Sequence, residues 1–119
     1  MAVFPLVSNE DELLAVADEV ADALRDAGLA VTYDESGSIG RRYRRQDEVG
    51  TPFCVTVDQD GLEGDDETTV TLRERDSAAQ IRLPVDEVVG ELEELLAGER
   101  AFADLRETYR TVDTDVTTA

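Results

Sequence analysis

PFCVTV, residues 52 to 57, is apolar or β-branched at nearly every position, and a strand keeps such a run only when both of its faces are covered. A strand of that kind needs one layer of elements above it and another below, so the segment points to a three-layer arrangement. The runs before it supply those layers. AVFPLV, residues 2 to 7, reads as a strand, and Pro5 places it at an edge or a bulge because proline brings no backbone donor. From Asn9 the pattern turns helical: Leu13, Ala17, Val20, Leu24 and Ala27 share one face, Asn9 and Glu12 form a capping box, and Gly28 is the stop. LAVTY, residues 29 to 33, is a second strand, and Ile39 opens a second helix. Strand, helix, strand, helix, strand is the order of βαβ units and of parallel pairing.

Past residue 57 the pattern changes. DQDGLEGDDE, residues 58 to 67, is an acidic, turn-rich loop. TTVTLRER, residues 68 to 75, alternates, with Val70 and Leu72 on one face and Thr71, Arg73 and Arg75 on the other. IRLP, residues 81 to 84, is a further short strand, and Pro84 opens a third helix with an inner stripe of Val85, Val88, Val89, Leu92, Leu95 and Leu96. Phe102, Leu105 and Tyr109 mark one more short helix. The expected fold is α/β: a three-layer domain with a mixed, about five-stranded sheet flanked by three helices. It spans residues 1 to 110, with residues 111 to 119 as a disordered tail.

Twenty-nine acidic residues against eleven basic ones give a formal net charge of −18, and every basic residue is arginine. Such a surface suits a cytoplasm of very high salt, where self-repulsion is screened, and it points to a halophilic origin. With no histidine in the chain, histidine-based catalysis and Cys/His zinc sites are excluded within it. Cys54 lies in the apolar run and reads as a buried structural thiol. No catalytic residue and no metal site is expected. No apolar stretch is long enough to span a membrane and the first residues lack the pattern of a signal peptide, so a cytoplasmic location is expected.

SGSIGRRYRR, residues 36 to 45, sets four of the eleven positive charges behind two glycines. On a helix, at about 100° per residue, Ile39, Tyr43 and Gly50 fall on one side with Gln46 near them. Arg41, Arg44, Arg45 and Glu48 fall opposite, and Arg42 lies at the boundary. One reading is a solvated face on which Arg44 pairs with Glu48; the other is a surface for an anionic ligand such as RNA. GSIG, residues 37 to 40, is either a plain strand-to-helix turn or an anion-holding loop, though it lacks the Lys-Ser/Thr of a P-loop and the third glycine of a dinucleotide fingerprint. Arg73 and Arg75 form a second pair, which either faces a ligand or is tied up with acids such as Glu87.

YDESGSIGRRYRRQDEVGTPFCVTVD followed by TVTLRERDSAAQIRLPVDEV resembles the C-terminal anticodon-binding domain of glycyl-tRNA synthetase of the homodimeric class II type. The runs that carry the resemblance are Gly37 to Tyr43 with Asp47, Glu48 and Gly50, and Leu72 to Ser77. The resemblance implies a five-stranded mixed sheet with three helices and a role in holding the anticodon end of glycine tRNA. It further implies a separate catalytic domain, in a homodimeric parent, that uses ATP and magnesium; the domain itself needs no cofactor. The chain then reads as an excised or separately encoded module.

Glycine codons begin GG, so glycine anticodons end in two cytosines. Unstacked bases are read by stacking and by hydrogen bonds to their edges. On this view Arg73, Glu74, Arg75 and Asp76 read cytosine edges, while Arg41, Arg42, Arg44 and Arg45 hold phosphates. Strand alternation turns Glu74 away from Arg73 and Arg75. Two other functions stay open from the residues alone: a small nucleotide- or anion-binding domain built on GSIG, and an acidic protein-interaction module.

Overall fold

The computed structural model describes residues 1–6, 9–35, 37–62 and 68–112. In chain order the elements are β1 (Ala2–Pro5), α1 (Asp11–Asp26), β2 (Thr32–Tyr33), α2 (Ile39–Glu48), β3 (Phe53–Val57) and α3 (Gln59–Leu62). There follow β4 (Thr69–Glu74), β5 (Gln80–Pro84), α4 (Val85–Leu96), α5 (Phe102–Thr108) and β6 (Arg110–Val112). Among the described residues the strands form one six-stranded sheet in the order β2-β1-β3-β4-β5-β6. β1 runs parallel to both β2 and β3, and the pairs from β3 to β6 are antiparallel. The fold is mixed α/β, with one strand more than expected. β6 takes Thr111 and Val112 out of the expected tail; the rest of that tail, residues 113–119, lies outside the described residues.

The chain leaves β1 toward β2 and then passes back beyond β1 to β3, and right-handed crossovers in opposite directions send their helices to opposite faces. The packing follows. Val3, Val55 and Val57 join Leu13, Leu24 and Leu92 in the main core beneath α1, α4 and α5. Ala2, Phe4 and Cys54 point the other way and pack with Ile39 and Tyr43 of α2. β3 is therefore buried along its whole length, which is what its unbroken apolar run required. Phe4 meets the edge of Tyr43 with ring centroids 5.5 Å apart, seating α2 on the sheet.

Several boundaries differ from expectation, each for a local reason. α1 starts at Asp11 with Glu10 as its N-cap and no side-chain cap, so the Asn9–Glu12 capping box does not form. β2 is only two residues long: β1 begins at Ala2 opposite Thr32, and the Leu29 N–H is spent on Leu24 O at the end of α1. Pro5 lies on an interior strand rather than an edge. It is tolerated because β1–β2 pairing stops at Val3↔Tyr33, where Arg42 Nη1 and not a backbone N–H donates to Asp34 O, while Leu6 N donates to Val57 O on the other side. In α4, Leu96 is 44% exposed, whereas Glu91, expected among the outer acids, is buried and accepts from Arg100 Nη1 at 3.1 Å and Tyr109 Oη at 2.8 Å. The expected loop at 58 to 67 contains α3; its residues 63–67 lie outside the described residues.

Candidate nucleic-acid interface

α2 begins where Ser38 Oγ accepts from the Arg41 N–H at 3.3 Å, so GSIG acts as a capped strand-to-helix turn. Ile39, Tyr43 and Gln46 face inward, as the helical spacing requires. Arg41 and Arg44 stand exposed and make no ion pair among the described residues; the expected Arg44–Glu48 pair does not form. Arg45, half-exposed, pairs with Asp34 at 3.0 Å. The outer face of α2 thus keeps two guanidinium charges open to an anionic ligand.

Arg42 is a correction to the sequence reading. It is 1% exposed and cannot hold a phosphate from the outside. Its Nη1 donates to Pro5 O at 2.6 Å and Asp34 O at 3.3 Å, and its Nη2 donates to Leu6 O at 3.0 Å. The guanidinium carbon sits 5.5 Å from the centre of the Phe4 ring. Burial pulls its pKa below the ordinary arginine value, and the nearby Asp34 carboxylate opposes that shift. These carbonyls lie just past the carboxyl ends of β1 and β2. Arg42 therefore ties α2 to the chain as it leaves β1 and β2.

Arg73 is also buried. Its Nη1 and Nη2 donate to the two oxygens of Asp47 at 3.0 and 3.2 Å, and its guanidinium lies 4.7 Å from the Tyr43 ring centre. The fork ties β4 to α2, and its partner is Asp47 rather than Glu87, which sits on α4 and accepts from Tyr109 Oη. β4 ends at Glu74, so Arg75 belongs to the turn. There its Nη1 donates to Gly50 O at 2.7 Å and its Nε to Asp76 Oδ1 at 3.1 Å. Glu74 is paired in register with Phe53, which faces the main core, so Glu74 stands on the face opposite Arg73. Of the four expected edge readers, Arg75 and Asp76 are together at the surface, Arg73 is beneath them, and Glu74 is elsewhere.

Under this site Tyr43 Oη and Thr56 Oγ1 share a hydrogen bond of 2.6 Å. Burial pushes the Tyr43 hydroxyl up to about 12, against the pull of the Thr56 bond. Burial likewise pushes the Cys54 thiol up to about 12, keeping it protonated and inert, as its apolar setting implied. Sequence reasoning missed a second fork on the same sheet face: Arg82 donates to Asp58 Oδ1 and Oδ2 at 3.0 and 2.6 Å and to Thr69 Oγ1 at 3.2 Å. Nothing in the local spacing of Asp58 and Arg82 announces it, because β4 lies between them in the chain. No helix among the described residues is long and apolar enough to cross a membrane.

The family model for the anticodon binding domain matches residues 1–95. A glycine–tRNA ligase of Archaeoglobus fulgidus is 46% identical over 112 residues, taking in 94% of this chain and 19% of that protein. One of Corynebacterium glutamicum is 54% identical over 98 residues, 82% of this chain and 20% of that protein. The chain thus spans about a fifth of the length of these curated relatives. The crystal structure of prolyl-tRNA synthetase from Cryptosporidium parvum, complexed with L-proline and AMP, superposes with a TM-score of 0.72. That likeness covers 82% of this chain and 20% of the synthetase chain, and at 20% identity it bears on the fold alone.

Proposed function

This chain belongs to the anticodon binding domain family, and from that premise we propose that it binds the anticodon arm of glycine tRNA as one module of a glycine–tRNA ligase. The observation that carries the reading is the match to a glycine–tRNA ligase along 94% of the chain, a span that necessarily takes in both the arginine helix and the β4–β5 turn. The geometry supports a division of labour. Arg41, Arg44 and Arg45 on the outer face of α2 hold phosphates, while Arg75 and Asp76 read a cytosine edge. Arg42 and Arg73 act through others: the first fixes the loops behind α2, and the second locks α2 to β4.

The chemistry of aminoacylation belongs to a separate catalytic domain of the parent ligase, which uses ATP and magnesium and is a homodimer in this reading. The acidic, lysine-free surface fits the high-salt cytoplasm of a halophile. Substitution tests the division of labour. Arg44→Ala is expected to weaken every anticodon stem-loop about equally, and Arg75→Ala to weaken chiefly loops that keep an anticodon cytosine, by about 1–3 kcal/mol in binding titrations. Equal losses across all loops for both variants would overturn it.

A further inference from the structure

Val49 is 76% exposed, the most open large apolar side chain among the described residues, on a surface otherwise dominated by carboxylates. It is the C-cap of α2 and precedes Gly50, whose positive φ of 82° turns the chain out of the helix. That turn holds Arg75: the Gly50 carbonyl accepts from Nη1 at 2.7 Å, while Nε is taken by Asp76 Oδ1. Arg75 Nη2, a donor, and Asp76 Oδ2, an acceptor, then have no partner among the described residues. Asp76 is 78% exposed, so the pair is open to a ligand.

A cytosine edge presents an amino donor beside ring acceptors, which complements a carboxylate oxygen beside a guanidinium N–H. Uracil puts a carbonyl where the amino group stood and so meets the carboxylate acceptor to acceptor. A splayed base also needs a surface for its face, ordinarily an aromatic ring. Among the described residues the aromatic ring of this site, Tyr43, is buried beneath Arg73. The exposed apolar side chain adjoining Gly50 in the chain is Val49.

We infer that Val49 is a specificity-determining contact: it packs against the face of one unstacked cytosine of the bound loop, whose edge is read by Arg75 Nη2 and Asp76 Oδ2. The inference rests on the anticodon-binding reading and goes beyond it by assigning a residue outside the charged motifs. It is tested by fluorescence anisotropy on the full chain, using the glycine anticodon stem-loop, loops carrying a single abasic site at each anticodon position, and a loop with cytosine replaced by uracil.

Val49→Ala is expected to weaken the intact loop about three- to tenfold, to have no effect on the loop whose abasic site removes the contacted base, and to narrow the preference for cytosine over uracil. Leu96→Ala, which trims the other exposed large apolar side chain, is expected to change nothing. If Val49→Ala binds every loop like the wild type, or loses equally on every abasic loop, the inference falls while anticodon binding stands. If the wild type binds no loop at all, the parent reading falls with it.

Discussion

Arg42 and Arg44 are two positions apart and meet opposite surroundings. Arg44 projects into solvent, whereas Arg42 delivers two of its nitrogens to three backbone carbonyls at the ends of β1 and β2. Helical spacing separates Ile39 and Tyr43 from Arg41, Arg44 and Arg45 correctly, but leaves Arg42 on the boundary. What decides its side is the set of acceptors left open by short β2 and by Pro5, and no local spacing encodes that. Arg42→Met is expected to destabilise the fold by about 3 kcal/mol, because buried carbonyls lose their donors; Arg42→Lys recovers little, since one ammonium cannot span all three. Urea unfolding of the two variants checks this.

Cys54 belongs to the same scale. Its thiol is pushed up in the folded state from an ordinary value of 9.0, so the folded state holds the proton longer and stability is lost as pH rises from about 9 toward 12. Tyr43 adds its own loss from about 10 upward. In Cys54→Ala the alkaline decline is expected to begin nearer pH 10 than pH 9, read from unfolding midpoints across a pH series.

At the scale of elements, the sequence is most legible where both faces of a segment carry a signal. PFCVTV demanded cover on two sides and has it, and from that strand the three layers follow. β6 was not legible because three residues, two of them exposed, carry no period; it is defined by its register with β5 alone. The capping box failed because α1 starts too late for Asn9. Alternation along LRER placed Glu74 correctly on the far face, yet ran one residue too far, past the end of β4 into the turn that aims Arg75 at Gly50.

Close contacts between elements were equally hidden. A Cβ on Gly61 would lie 2.0 Å from Thr69 O and 3.3 Å from Arg82 Nη1, so α3 rests on β4 only because residue 61 has no side chain. Gly61→Ala is expected to cost about 1–3 kcal/mol and to loosen the Arg82–Asp58 fork. Gly90→Ala, within α4 and with nothing within 4 Å, is the contrast: it should stabilise by roughly 0.5–1 kcal/mol. Denaturant midpoints of the two variants should move in opposite directions.

Across the whole molecule, charge is arranged by face. Arg25 of α1, Arg106 of α5 and Arg100, in the connection between α4 and α5, lie on the side opposite α2. α2, the end of β4 and the sheet face beneath them carry Arg41, Arg42, Arg44, Arg45, Arg73, Arg75 and Arg82, and Arg110 stands in register beside Arg82. A net charge of −18 repels a nucleic acid over most of the surface, so an anionic ligand is steered to the α2 side. In strong salt the gain from counterion release is small, and edge recognition has to carry more of the binding.

The direct measurement is a titration of the chain with the glycine anticodon stem-loop and with the same loop carrying uracils in place of its two cytosines, repeated over a series of salt concentrations. Absolute affinity is expected to fall only gently with salt, and the native loop to stay preferred throughout. Equal binding of the two loops at every salt concentration, or no binding of either, would contradict it.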